Sequence, residues 1–456
     1  MKAIIIFTRM KTLFKHGVSV ALGMVSLLAL TASQPTTTGN NKMEVLMQKL
    51  SGAHRAFPPE IVYLHLDRPS YWASDDIWFK AYLDSPSDSV NLWVELINPA
   101  GKILQKKLYL TIDHIAYGDL HLPDTTSSGV YQIRAYTDPM RRSGEEAFFR
   151  QNLLIWNLND KPGEKDETDR ERLKIDLQFF PEGGTFLANA QNKLGFKAID
   201  ENGIGIDIEG TILDNLGQFA SFFRSQHKGM GSVVLIPEEG KSYTAIADIN
   251  GRTMKVALPK PVSRGIALAV DPTLPDQLRI TITEQSAPDS TSENRYYLIG
   301  QMRGNALFAK ELSISNGRHG LKINKKKLPT GVLQITLFDA DLLPLCERLA
   351  FINQKDWVEL DIQTDKKTYT LREEVRVDLA SFVGDSLPVI SNLSLSAYAT
   401  TQQLRFEDDP NNILTHFLLV SDLRGRIEEP AWYFRNQDAE TLKALDNLML
   451  TQGWRR

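Results

Sequence analysis

The stretch His65–Leu83, HLDRPSYWASDDIWFKAYL, has a weaker second copy at Gln363–Ala380, QTDKKTYTLREEVRVDLA. Asp67, Tyr71 and Ile77 keep the mutual spacing of Asp365, Tyr369 and Val375, while Arg68 corresponds to Lys366 and Phe79 to Val377. A motif belonging to one catalytic site is not expected to recur in a chain; the opening strand of a repeated domain is. In the first copy Pro69 fixes its own φ and pushes Arg68 into an extended conformation, so Asp67-Arg68-Pro69-Ser70 makes a bend. Tyr71 then starts a strand, and Ile77-Trp78-Phe79 enters a core with alternating faces.

Other segments repeat as well. Gly129-Val130-Tyr131-Gln132-Ile133 matches Gly331-Val332-Leu333-Gln334-Ile335, each after a Leu-Pro at Leu122-Pro123 or Leu328-Pro329. Each leads on to another apolar strand, NLLIW or RLAFI, and Phe79-Lys80-Ala81 recurs as Phe196-Lys197-Ala198. Short alternating runs such as NLWVELI, YQIRAY and LQITLF are punctuated by turn signals at Asn98-Pro99-Ala100-Gly101, Glu201-Asn202-Gly203 and Asn215-Leu216-Gly217. Many short strands at this spacing point to an all-β chain of tandem immunoglobulin-like antiparallel β-sandwiches. The expected divisions are a helix and tether over 42–56 and sandwiches over 57–158, 173–259 and 260–354. A highly charged linker, 159–172, separates the first two. A fourth sandwich, complete or not, occupies 355–456 with a helical tail. In that tail Asn411–Leu423 suits a short helix with asparagine caps, and Asp438–Gln452 reads as an amphipathic helix stopped by Gly453.

The chain has 456 residues, too many for one core. Its net charge is −4 and no Lys/Arg cluster marks a nucleic-acid surface, so no nucleic-acid partner is expected. The first 33 residues read as a signal peptide: Lys2, Arg9, Lys11 and Lys15 precede the apolar run Val18–Ala32, with cleavage expected near Ala32. That run is short for a membrane anchor, and no later stretch is apolar enough to span a bilayer as a helix. Export to the periplasm or outer membrane follows as an expectation. The single cysteine, Cys346, allows no internal disulfide, so the cores alone must hold the fold.

The search for chemistry returns no catalytic residue, cofactor or metal site. No histidines stand in HxxxH or HxH spacing; His114 and His121 are seven apart. A zinc site needs three or four converging ligands. Glu407-Asp408-Asp409-Pro410-Asn411-Asn412 lacks the spacing and glycine of a calcium loop. Cys346 lies in the apolar context LPLCERLAF, unlike the electropositive, partly exposed setting of a nucleophilic thiolate. Phe179-Phe180-Pro181-Glu182-Gly183-Gly184 and His227-Lys228-Gly229-Met230-Gly231 carry turn glycines, but a phosphate cradle would need a following helix N-terminus.

Asp67-Arg68-Pro69, Tyr71 and Ile77-Trp78-Phe79-Lys80 together resemble the opening of the second macroglobulin domain of the alpha-2-macroglobulin superfamily. Ser74-Asp75 stands where that pattern has a glycine-led turn. FFPEGG at Phe179, HKGMG at His227, SDLRGRIE at Ser421 and LDNLMLTQGWRR at the terminus resemble a family of exported Gram-negative proteins. In that family macroglobulin-like sandwiches precede a carboxypeptidase-regulatory-like domain and a TonB-dependent receptor plug domain. The later domains are missing here, which reads as a truncated or split version. The resemblance implies a non-enzymatic, protein-binding scaffold of the cell envelope, with a protease or an outer-membrane transport component as candidate partner. The alternative it implies is an endopeptidase inhibitor. Neither a bait region nor a Cys-Gly-Glu-Gln thioester is recognisable, since Glu347-Arg348 follows Cys346.

Overall fold

The computed structural model describes residues 2–6, 42–56, 58–160, 175–249, 252–285, 294–315, 317–384, 387–398 and 411–453. The expected leader core Val18–Ala32 with its expected cleavage point, the stretch Ser33–Asn41, nearly all of the charged linker and Trp454-Arg455-Arg456 lie outside these residues. The described chain is all-β with short helices: three antiparallel sandwiches in tandem, then a smaller sheet and a helical segment.

The three sandwiches share one connectivity. In the second, a sheet of Asp176–Pro181, Asn192–Ile199 and Met230–Leu235 faces one ordered Phe219–Arg224, Glu209–Asp214, Tyr243–Ile249, Arg252–Ala257. In the third, Gly265–Asp271, Gln277–Gln285 and Gly317–Asn324 face Asn305–Ile314, Asn294–Met302, Gly331–Phe338 and Pro344–Ile352. Numbered within each unit, both sheets run 1-2-5 and 4-3-6-7. The first sandwich repeats this with Ile61–Leu66, Asp76–Asp84 and Ile115–His121 against Ile103–Leu110, Asn91–Ile97, Gly129–Thr137 and Phe149–Trp156. It adds one short strand, Ser70–Trp72, paired parallel to Phe149–Trp156.

Alternation builds each core. Along Asn91–Ile97 the side chains of Leu92, Val94 and Leu96 are fully buried, and along Asp76–Asp84 Ile77 and Phe79 are buried while Trp78 is 56% exposed. The repeated Phe-Lys-Ala has a packing reason. Phe79 lies opposite Gly118 and Phe196 opposite Gly231 in neighbouring strands. A Cβ at Gly118 would stand 2.5 Å from the Phe79 ring, and one at Gly231 would stand 2.5 Å from the Phe196 ring. Each glycine makes room for a phenylalanine that fills the sandwich.

Five helices complete the described chain: α1 (Lys42–Ala56), α2 (Asp138–Ser143), α3 (Ile413–Leu418), α4 (Trp432–Arg435) and α5 (Ala439–Thr451). Helix α1 packs Leu46 against Tyr297 and Ile299 of the third sandwich. Asn412 caps α3 through a capping box with Thr415, and Asp438 caps α5 by accepting from the Thr441 amide at 2.8 Å. The periodicity of the sequence did not reveal α2 or α4, which have six and four residues and too few turns to show a stripe.

The fourth unit is a three-stranded sheet, Val358–Thr364, Val377–Val383 and Leu387–Pro388. Its next strand, Ser394–Tyr398, lies instead on the outer face of the first sandwich. There Lys80 Nζ donates to the Leu393 carbonyl at 2.9 Å and Tyr82 Oη donates to Ser394 Oγ at 2.6 Å. Lys2–Ile6 pairs antiparallel with this strand, from Lys2 opposite Tyr398 to Ile6 opposite Ser394. The sequence reading expects the first 33 residues to be removed as a signal peptide; in the uncleaved chain this strand former meets the edge of Ser394–Tyr398.

Candidate functional site

The turn at Asp67 is a closed polar circuit. Asp67 Oδ1 accepts from Tyr71 Oη at 2.7 Å and from the Trp78 amide at 3.0 Å, and Tyr71 Oη in turn accepts from the Arg68 amide at 3.3 Å. Asp75 Oδ2 accepts from Arg68 Nη1 at 3.0 Å and from the Trp72 amide at 2.8 Å. Ser74 sits at φ 75°, the left-handed conformation that a glycine would adopt without strain. Asp67 and Arg68 are thus held by their own turn.

The four motifs of the family resemblance are far apart in sequence and meet in one seam. Helix α5 lies on strands Asn192–Ile199, Met230–Leu235 and Pro344–Ile352, so it touches the second and third sandwiches together. A Cβ at Gly195 would stand 2.8 Å from Leu450 Cβ, so the helix rests almost on the strand backbone. Leu445, Leu448 and Met449 join Met230, Leu349, Phe351, Leu423 and Tyr433 in one buried cluster.

Under the helix runs a buried ionic chain. Arg348 Nε donates to Glu182 Oε1 at 3.0 Å, and its other arm pairs with Asp446, which also meets Lys193. Glu182 accepts from the Val270 amide at 3.1 Å as well. Burial alone would push the Asp446 carboxyl up, but the facing Arg348 and Lys193 hold it below its ordinary value. Glu182 belongs to Phe-Phe-Pro-Glu-Gly-Gly, and Gly183 in that run has φ 70°. A Cβ at Gly183 would stand 2.4 Å from the Leu268 carbonyl oxygen, so the motif is a close crossing of the second and third sandwiches.

His227-Lys228-Gly229-Met230-Gly231 lies at the other end of the seam. The His227 ring stacks on Trp432 of α4 with centroids 3.9 Å apart, and Lys228 Nζ pairs with Glu429 at 2.7 Å. Gly229 has φ 70°, with the Ala198 carbonyl where a side chain would go. From the Ser421–Glu428 run, Glu428 accepts from the Gly205 amide at 2.7 Å and Asp422 accepts from Arg303 Nε at 3.0 Å. Arg303 also reaches Asp84 at 3.4 Å and the Phe417 carbonyl, which joins the third sandwich to the first. Ile413 enters the core of the first sandwich. His416 packs against Tyr63 and Phe149, and burial lowers its pKa to about 4. The helical segment is therefore a clasp across all three sandwiches.

The structure does not bring the chemical candidates together. His114 pairs with Asp88, and His121 with Asp76 at 2.8 Å. Among the described residues no group of three or more His, Cys, Asp or Glu side chains is placed to hold a metal ion. Cys346 is 4% exposed and lies 3.1 Å from the Ile266 carbonyl. Burial pushes its thiol up to about 11, against thiolate chemistry. A cleft of about 350 Å³ beside it is lined by Glu182, Gly183, Cys346, Arg348, Met449 and Gly453. Its Glu182 and Arg348 already pair with one another. Of the acidic stretch, Glu407 to Pro410 lie outside the described residues, and Asn411 and Asn412 bond to α3. No helix of the described residues is long and apolar enough to cross a membrane.

Comparison with known proteins gives likeness at the level of architecture. No family model matches the chain, and no curated protein matches it. Solved structures that align include a Salmonella alpha-2-macroglobulin, 11% identical, covering 74% of this chain and 26% of that one at a TM-score of 0.19. Dimeric latent PorU from Porphyromonas gingivalis is 11% identical over 65% of this chain and 34% of its own, at a TM-score of 0.28. The bacterial integrin-binding protein invasin is 10% identical over 74% of this chain and 79% of its own, at 0.17. This chain spans about a quarter of the length of that alpha-2-macroglobulin. At these TM-scores the alignments carry no argument about activity, and the fold stands on the chain's own sheets.

Proposed function

We propose that this chain is an exported, non-enzymatic array of macroglobulin-like sandwiches that binds a protein partner in the cell envelope. Its place is the periplasm or the outer membrane, as part of a TonB-dependent system. The observation that carries the reading is the clasp. The residues behind the family resemblance, from Glu182 and His227 to Asp422 and Asp446, are engaged in joining one sandwich to the next. A rigid arm of this kind holds exposed strand edges at fixed spacing, and such edges recognise partners by strand addition. Exposed Leu104, Leu108 and Leu110 on the edge strand Ile103–Leu110 are candidates for such contact.

The test is photo-crosslinking in envelope preparations from a probe at Leu108, with a probe at the buried Leu448 as control. One discrete heterologous adduct from Leu108 alone supports the reading; no adduct in any envelope fraction contradicts it. Challenge with several endopeptidases separates the alternative. Cleavage at one site that also protects a large substrate from the protease would make the chain an endopeptidase inhibitor.

A further inference from the structure

The second and third sandwiches leave a groove of about 250 Å³ between them. Its floor is the outer face of the sheet Gly265–Asp271, Gln277–Gln285 and Gly317–Asn324. Leu268, Ile280 and Ile282 turn into the core, so Ala267, Ala269, Thr281 and Thr283 turn out. Thr283 lies opposite Ala267 and Thr281 opposite Ala269, and Gly320 continues the row opposite Thr281. The floor is therefore built of small side chains, over which an incoming backbone can come close. Gln191 and half-exposed Val234 of the second sandwich form the facing wall.

Cations stand at both ends of this floor. Arg279 lines one end, and Arg318, opposite Thr283, lines the other. Thr283 is four residues along the strand from Arg279, so the two arginines are rooted about 13 Å apart. The carboxylates that line the groove are turned elsewhere. Asp271 lies opposite Arg279, yet it accepts from the Thr273 amide at 3.0 Å and the Thr273 hydroxyl at 2.6 Å. Lys322, opposite Arg279 on its other flank, keeps that end net positive. Glu182 is held by Arg348, and the remaining cation of the lining, Lys193, is held by Asp446. In a chain of net charge −4, this groove carries surplus positive charge.

We infer that this groove takes an extended acidic segment of the protein partner, laid over the small-residue floor with two carboxylates clamped by Arg279 and Arg318. The inference rests on the reading that the chain binds a protein partner, and it adds the chemistry of a second contact away from the edge strand Ile103–Leu110. Residues four apart on an extended strand share a face and lie about 13 Å apart, which is the spacing of the two arginines. Each guanidinium offers a carboxylate two parallel hydrogen bonds. A single phosphate or sulfate would call for cations converging on one point, whereas these stand at opposite ends. The hydroxyls of Thr281 and Thr283 lie between them as further polar contacts.

Fluorescence anisotropy of the full chain with labelled peptides tests this. The probe is Thr-Glu-Ser-Thr-Ser-Glu-Thr, with its glutamates four apart. One comparison peptide, Thr-Glu-Ser-Thr-Glu-Ser-Thr, puts them on opposite faces; the other replaces both by glutamine. The probe is expected to bind about tenfold tighter than either comparison, and more weakly as salt rises. Arg279→Ala with Arg318→Ala should weaken it about tenfold, while Arg224→Ala, outside the groove, leaves it unchanged. Circular dichroism confirms that each variant stays folded. Arg279→Glu with Arg318→Glu should lose the probe and gain its lysine counterpart. No probe binding would overturn the inference, and so would equal binding of the two acidic peptides. Equal competition by inorganic phosphate would overturn it too, in favour of a small-anion site. A partner adduct from Leu108 beside a silent groove would sink this inference alone. Probe binding with no adduct would leave the groove's chemistry standing and sink the protein-partner reading instead.

Discussion

In the first sandwich the Asp67 carboxylate ties Tyr71 and Trp78 into a turn, and the strands on either side bury Leu64, Ile77 and Phe79. In the fourth unit Asp365 ties Tyr369 and Arg376 in the same way, and of the flanking strands Val358 is buried while Ile362 and Leu379 stay more than a third exposed. Tyr71 is 1% exposed, while Tyr369 is only half-buried. The difference separates two things that are usually found together. The turn is closed by groups within a dozen residues and needs no core. Burial needs a second sheet from far along the chain, and the clasp of α3, α4 and α5 packs on the first three sandwiches and meets the fourth unit at Trp357, edge-on to Phe434.

The largest expected effect sharpens the clasped side of this comparison. Arg348→Met leaves Glu182 buried without its cation and Asp446 with Lys193 alone, and breaking a buried pair from one side costs about 3–5 kcal/mol. Urea unfolding should show that loss in the first three sandwiches, while protection of Val358–Val383 stays as it was. Equal loosening of the fourth unit would mean that the clasp holds it too.

Acid should act on the same side. Unfolded, His416 titrates near 6.5; folded, burial holds it at about 4. Between those values the unfolded chain takes up a proton that the folded chain refuses, so stability is present above 6.5 and is lost as pH falls towards 4. That loss is about 3 kcal/mol. His416→Phe should remove that part of the slope and leave the part due to His65, which burial also holds at about 4. The fourth-unit strands contain no histidine and should show no such step.

A smaller effect probes the turns directly. Asp67→Ala strands the buried Tyr71 hydroxyl and the Trp78 amide, and should cost about 2 kcal/mol by urea unfolding. Asp365→Ala removes the same bonds where water replaces them, and should cost less than about 1 kcal/mol. Equal costs would break the claim that the two turns differ in setting alone.

The sequence showed the repeated turn and the strand pattern because both are local: a carboxylate four residues before a tyrosine, and apolar residues at every second position. Ser74 was visible as a departure at a turn that elsewhere uses glycine, and its φ of 75° is the strain that the departure implied. The caps Asn412 and Asp438 were equally local. The seam was not legible. Glu182, Lys193, Arg348 and Asp446 carry no mutual spacing that marks them as partners in a chain with 24% charged residues, and only the fold brings them under α5. His227 gave no sign of Trp432, 205 residues later. The open face was hidden for the opposite reason: Leu360, Ile362, Val377 and Leu379 alternate like any buried strand, and what covers them is not written in those strands.

Native-state hydrogen exchange tests the central contrast most directly. The account predicts slow, globally limited exchange for Ile61–Leu66 and Asp76–Asp84, and exchange faster by orders of magnitude for Val358–Thr364 and Val377–Val383. Equal protection of the two hairpins would contradict it, because the fourth unit would then be closed by contacts of its own.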